Sequence, residues 1–152
     1  MGAVYFYHLT RAPLAETLGT LAEKSLSAGW RVEVRGRSDE MLRALDQALW
    51  LREGFLPHGM AGGPHDADQP ILMTAGVGGN AASCIMSVGG AELTVAEIQA
   101  ADRACILFDG YDEAAVQHAR VQWKSLTDGG AEAQYWSEES GRWEKKAESK
   151  KG

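Results

Sequence analysis

Positive charge is in short supply. The 152 residues hold 15 lysines and arginines against 21 aspartates and glutamates, a net charge of −6. A domain that grips duplex DNA by neutralising phosphates usually carries the opposite balance. Direct, tight nucleic-acid binding is therefore disfavoured. No run of about 18 apolar residues exists, so no apolar helix is expected to span a membrane. The opening MGAVYFYHL lacks a basic region followed by a long apolar segment, so it does not read as a secretory signal, and a cytoplasmic location is expected. The two cysteines, Cys84 and Cys105, sit in apolar, strand-like runs with no CxxC pair. That placement suits buried structural thiols rather than a metal or redox centre. No internal repeat and no linker divides the chain, and its length suits one domain with a real core.

Several chemical signatures are also missing. The first strand-to-helix turn, HLTRAPLAE, contains no glycine, so its backbone cannot approach a pyrophosphate as a dinucleotide fingerprint requires. The glycine-rich residues 76–80 could form an anion-cradling nest. They lack the following Lys-Ser/Thr of a phosphate loop and precede a strand, so a flexible connection is the simpler reading. His58, His65, Asp66 and Asp68 are metal ligands by type, but their spacing matches no ligand pattern. No GxSxG elbow occurs. Asp109 and Asp112 sit at a strand end where active sites of parallel sheets often fall, yet one suits a turn and the other a helix cap. No catalytic, cofactor or metal residue is nominated.

What is present is regular alternation. Strands are expected at 4–8, 30–34, 70–74, 82–88, 104–108 and 131–136. Helical stripes fall between them: Leu14, Leu18, Leu21 and Leu26, entered through Pro13 and ended at Gly29; Met41, Leu42, Leu45, Ala48 and Leu49, capped by Ser38 or Asp39 and ending near Trp50; then a short helix over 94–100. Alternating strands and helices argue for an α/β domain with a mostly parallel sheet. Its expected span is 1–144, with 145–152 a charged, frayed tail. Residues 51–69, including Phe55-Leu56-Pro57-His58, form a longer irregular stretch than most connections, a common place for function.

Residues 103–130 read as one strand–turn–helix unit. A turn at Asp109-Gly110 leads to Asp112 as N-cap, and Gly129-Gly130 closes the helix. Val116, Ala119, Trp123 and Leu126 share the apolar face, beside a polar row of Gln117, Arg120 and Lys124. Trp123 is either core or the wall of a shallow pocket with Arg120 and Lys124 beside it. Such a pocket would suit a peptide bearing acidic residues and an aromatic. Of the five tryptophans, Trp30 suits the core, Trp50 is a helix-end plug or an interface residue, and Trp136 and Trp143 flank a turn.

In order along the chain, Phe6-Tyr7-His8-Leu9, Gly29-Trp30-Arg31-Val32, Leu45-Asp46-Gln47-Ala48-Leu49-Trp50 and Phe55-Leu56-Pro57-His58-Gly59 with Ala61-Gly62 are familiar. So are Phe108-Asp109-Gly110, Ala119-Arg120-Val121-Gln122-Trp123-Lys124, Tyr135-Trp136 and Gly141-Arg142-Trp143-Glu144-Lys145. Together they resemble the chi subunit family of bacterial DNA polymerase III over nearly the whole chain. The resemblance implies a Rossmann-like α/β fold without a nucleotide and a non-catalytic accessory subunit associated with the clamp loader. It also implies binding of the acidic, Phe-terminated tail of single-stranded DNA-binding protein, a link to the clamp loader through the psi subunit, and mainly indirect dealings with DNA. Carried over by position, Arg120, Trp123, Lys124 and Val116 match the tail-binding helix, while Trp50, Phe55, Leu56, Pro57 and His58 match the region that meets psi. Trp123 stands where the family pattern allows tyrosine, and Val116 where some members carry lysine. The competing reading is a small nucleotide- or metal-dependent α/β enzyme working at residues 76–80 and Asp109.

Overall fold

The computed structural model describes residues 2–51, 56–76 and 78–150. The chain opens with β1 (Val4–Leu9) and α1 (Leu14–Ser27), followed by β2 (Val32–Arg35) and α2 (Asp39–Leu51). Next come the short β3 (Gly59–Met60), a 3₁₀ turn (Asp66–Asp68), β4 (Ile71–Thr74) and β5 (Cys84–Val88). α3 (Val95–Ala100), β6 (Arg103–Asp109), α4 (Glu113–Asp128), β7 (Ala133–Ser137) and β8 (Glu144–Ser149) complete it. The strands form one sheet in the order β3-β4-β2-β5-β6-β1-β7-β8. Neighbours run parallel except β7 and β8. The fold is the expected α/β architecture with a mostly parallel sheet.

Alternation along each strand divides two cores. On β1 and β6, Val4, Phe6, Ala104, Ile106 and Phe108 join Ile98 of α3 and Ala119 and Leu126 of α4. Leu9, Cys105 and Leu107 join Leu18 and Ala22 of α1 and Leu42, Leu45 and Leu49 of α2. Helices therefore cover both faces, and the central strands are buried almost throughout, as parallel sheets require. Both cysteines are free and buried. Contact with the Cys84 thiol, reinforced by burial, pushes Cys105 well above the usual thiol range.

Three segments depart from expectation. β2 begins at Val32, leaving Trp30 before it, half-buried and packed at the core margin under the Arg103 guanidinium. β3 lies inside the stretch expected to be irregular. Residues 145–149, expected to fray, belong to β8, which is hydrogen-bonded antiparallel to β7. High charge alone does not keep a segment out of a sheet edge, where solvent reaches its side chains.

β2 also buries two charges, Glu33 and Arg35, at 5% and 7% exposure. Arg35 Nε donates to Glu33 Oε2 at 2.8 Å, and its two terminal nitrogens donate to the Glu97 carboxylate at 3.0 and 2.7 Å. Pairing is required here because a lone buried charge costs several kcal/mol. Glu97 also completes a capping box with Thr94 at the start of α3. These hydrogen bonds, the one from Arg35 foremost, hold the Glu97 carboxyl at a pKa of about 2.

Candidate functional site

α4 is built as its sequence requires. Asp112 accepts the Ala114 and Ala115 N–H groups at its start, and Gly129 ends it. Its buried line runs through Ala119, Gln122 and Leu126. Gln122 was not expected there; its Nε2 donates to the Ala91 carbonyl at 3.2 Å, which satisfies the amide on the inner face. Val116 and Trp123 flank that line, half-buried and packed on the core. The Trp123 ring lies edge-on to Phe6 at 5.2 Å and to Tyr135 at 6.1 Å.

Trp123 is thus a rim residue, neither enclosed nor free. Beside it opens a groove of about 440 Å³ between α4 and the β7–β8 hairpin. Arg120 and Trp123 supply the helical wall, Tyr135 and His8 come from the sheet, and Glu139, Lys146 and Ala147 come from the hairpin. Burial raises the Tyr135 phenol above its ordinary pKa, and the nearby Arg120 guanidinium opposes that rise. The Tyr135 hydroxyl meets His8 Nδ1 at 3.1 Å. The same nitrogen lies 3.6 Å from the Glu139 carboxylate. His8 Nε2 is buried without a hydrogen-bond partner.

Two of the four residues expected for tail binding, Arg120 and Trp123, therefore share the groove. Val116 borders the core instead of the opening. Lys124 extends into solvent and pairs with Asp128 at 3.1 Å, one turn along the helix. Tyr135, His8 and Lys146 were not nominated. They come from strands whose register alone brings them beside α4.

The residues expected to meet psi behave differently from one another. Trp50 closes α2, is 51% exposed and stacks over His58 with ring centroids 4.1 Å apart. Leu56 and His58 are buried. His58 Nδ1 lies 2.6 Å from the Leu56 carbonyl, and Nε2 lies 3.1 Å from the Asp46 carboxylate. These two residues lock the segment onto α2 rather than offer side chains to a partner. Trp50 and the half-buried Pro57 remain accessible, and Phe55 falls outside the described residues.

A larger cleft, about 780 Å³, opens at the carboxyl ends of β1, β5 and β6. This is where α1 and α4 leave adjacent strands toward opposite faces, the usual ligand crevice of such sheets. Many of its polar groups are already engaged. Asp109 accepts the Tyr111 N–H, Asp112 caps α4, and His118 Nε2 bonds the Gly90 carbonyl and Glu92. The N–H groups of Thr10, Arg11 and Ala12, which could face an anion in the first strand-to-helix turn, all donate to Glu138 Oε1 at 3.1, 2.6 and 2.8 Å. The chain's own carboxylate fills that seat.

The other enzymatic candidates are similarly occupied. Asn80 is buried and donates to the Val32 and Gln69 carbonyls, tying residues 78–80 to the sheet. The Asp66 carboxylate accepts the N–H groups of Gly62 and Gly63. Among the described residues, no group of three or more His, Cys, Asp or Glu side chains is placed to hold a metal ion, and no helix is long and apolar enough to cross a membrane.

Fold and groove together define a doubly wound α/β domain with a cationic, aromatic-walled groove at the margin of its sheet. The sequence of residues 1–134 matches the family model described as DNA polymerase III chi subunit, HolC, and the chain belongs to that family. No curated protein matches it. The match ends inside β7, so residues 135–149, with the groove's Tyr135, Glu139 and Lys146, lie beyond it.

Proposed function

We propose that this chain is a non-catalytic accessory subunit of the replicative polymerase, working in the cytoplasm. It links the clamp loader to single-stranded DNA-binding protein by holding that protein's acidic, Phe-terminated tail. The observation that carries this reading is the shared groove of Arg120 and Trp123. A guanidinium there can form a charge-assisted pair with a peptide carboxylate while the aromatic walls accept an aromatic side chain. The strand-end carboxylates Asp109 and Asp112 are spent on a turn and a cap, which favours an interaction module over an enzyme. Contact with a psi subunit would fall on Trp50 and Pro57, with the Leu56–His58 anchor beneath them.

The direct test is calorimetric titration with an acidic peptide ending in phenylalanine. Wild-type protein is expected to bind, more weakly as salt rises. Arg120→Ala is expected to cost about 1.5–3 kcal/mol of binding through the lost charge-assisted bond. Unchanged affinity in Arg120→Ala would remove Arg120 from the site. Absence of binding to wild-type protein would reject the tail-binding reading.

A further inference from the structure

We infer that Lys146, contributed by the C-terminal hairpin, is the groove's second cation for the acidic peptide, in place of Lys124. The inference rests on the tail-binding reading above and adds a residue to it. The backbone supplies the first observation. Along β7 and β8, Tyr135 pairs with Ala147 and Trp136 with Lys145, so Lys146 is the extra residue of a β-bulge. Successive residues of a regular strand point to opposite faces, whereas a bulge re-aims one of them. Here Lys146 and Ala147 both line the groove beside Tyr135.

Charge supplies the second observation. The ammonium of Lys124 pairs with Asp128 on the exposed face of α4 and lies off the groove. Neither Arg120 nor Lys146 has an ion pair or hydrogen-bond partner at its charged end among the described residues. Two uncommitted cations, one on each wall, thus flank the groove aromatics Trp123 and Tyr135. Glu139 is the one carboxylate among the groove residues, and it sits within reach of His8. An acidic peptide entering between the walls meets Arg120 on α4 and Lys146 on β8.

Third, the hairpin is held in place. Glu138 is seated on the three N–H groups of the β1–α1 turn, and the Arg11 guanidinium donates to the carbonyls of Glu138 and Glu139. The second wall is therefore fastened to the first strand of the sheet.

The test is a titration of the acidic Phe-terminal peptide into the full chain and four variants, with circular dichroism confirming that each is folded. Lys146→Gln is expected to weaken binding about tenfold and to flatten its salt dependence. Lys146→Arg is expected to restore it. Lys124→Gln should change affinity by no more than about twofold, since an exposed helical pair is lost. Wild-type affinity in Lys146→Gln alongside weakened binding in Arg120→Ala would overturn the role of Lys146 and leave the tail-binding reading standing. Weakening by Lys124→Gln with none by Lys146→Gln would also overturn it. No binding to the wild-type chain would end both.

Discussion

The Trp123 indole meets the Phe6 ring edge-on, 5.2 Å between centroids and 61° between planes. Phe6 is fully buried on β1, while Trp123 is half-buried on α4. One aromatic contact therefore couples the groove wall to the centre of the sheet. Tyr135 also stacks on Phe6, at 6.4 Å, and lies 6.1 Å from Trp123, so both groove aromatics rest on one buried ring. The groove inherits its shape from the core.

That coupling predicts a combined loss. Trp123→Ala should destabilise the fold by about 2–4 kcal/mol, because it removes a packed indole from the core margin. Trp123→Tyr keeps a ring on Phe6 and should stay within about 1.5 kcal/mol of wild type. Urea denaturation of both variants checks the pair. Equal stabilities would show that the indole contributes nothing to packing.

A second expectation concerns the β1–α1 turn. Glu138→Ala strips the acceptor from the N–H groups of Thr10, Arg11 and Ala12. The cost should be about 2–3 kcal/mol, the range of a hydrogen-bonded charge. Hydrogen exchange should rise at those three amides and through the β7–β8 hairpin, with the central strands unchanged. Protection equal to wild type at residues 10–12 would show that another group seats the turn.

Acid should expose the Glu97 contact. Its folded pKa of about 2 lies below the ordinary carboxyl value of 4.5, chiefly through the Arg35 hydrogen bond. The unfolded chain therefore binds the proton first as pH falls. The stabilisation is fully present above the ordinary value and is lost progressively from about pH 5 toward pH 2. Relative to wild type, Glu97→Gln should be less stable by about 2 kcal/mol at pH 7. The difference should narrow across that acid window. A gap that is constant down to pH 2 would mean that the carboxylate charge is not what stabilises the contact.

Much of the groove's scaffold was legible in the sequence. Asp112, the apolar spacing of Ala119 and Leu126, and Gly129-Gly130 specified α4, because caps and periodicity are local. They also placed Trp123 on the apolar face, but left open whether it is core or the wall of a pocket; its half-buried position at the groove comes from the packing of α4 against the sheet. The i,i+4 spacing of Lys124 and Asp128 was equally visible, but spacing alone does not say whether a lysine prefers its helical neighbour to a groove. The burial of Glu33 and Arg35 was not anticipated. Their burial follows from helices covering both sheet faces, which a single strand's pattern does not encode.

By itself the sequence determined the elements, the missing phosphate signatures and a resemblance strong enough to indicate the family, all carried by residues close together in the chain. The tertiary structure decided which cations face the groove. Arg120 and Trp123 lie more than 20 positions before Lys146 and more than 100 after His8, and only strand pairing brings them together. The bulge that turns Lys146 inward is a mismatch between two strands. It exists only once β8 has paired with β7.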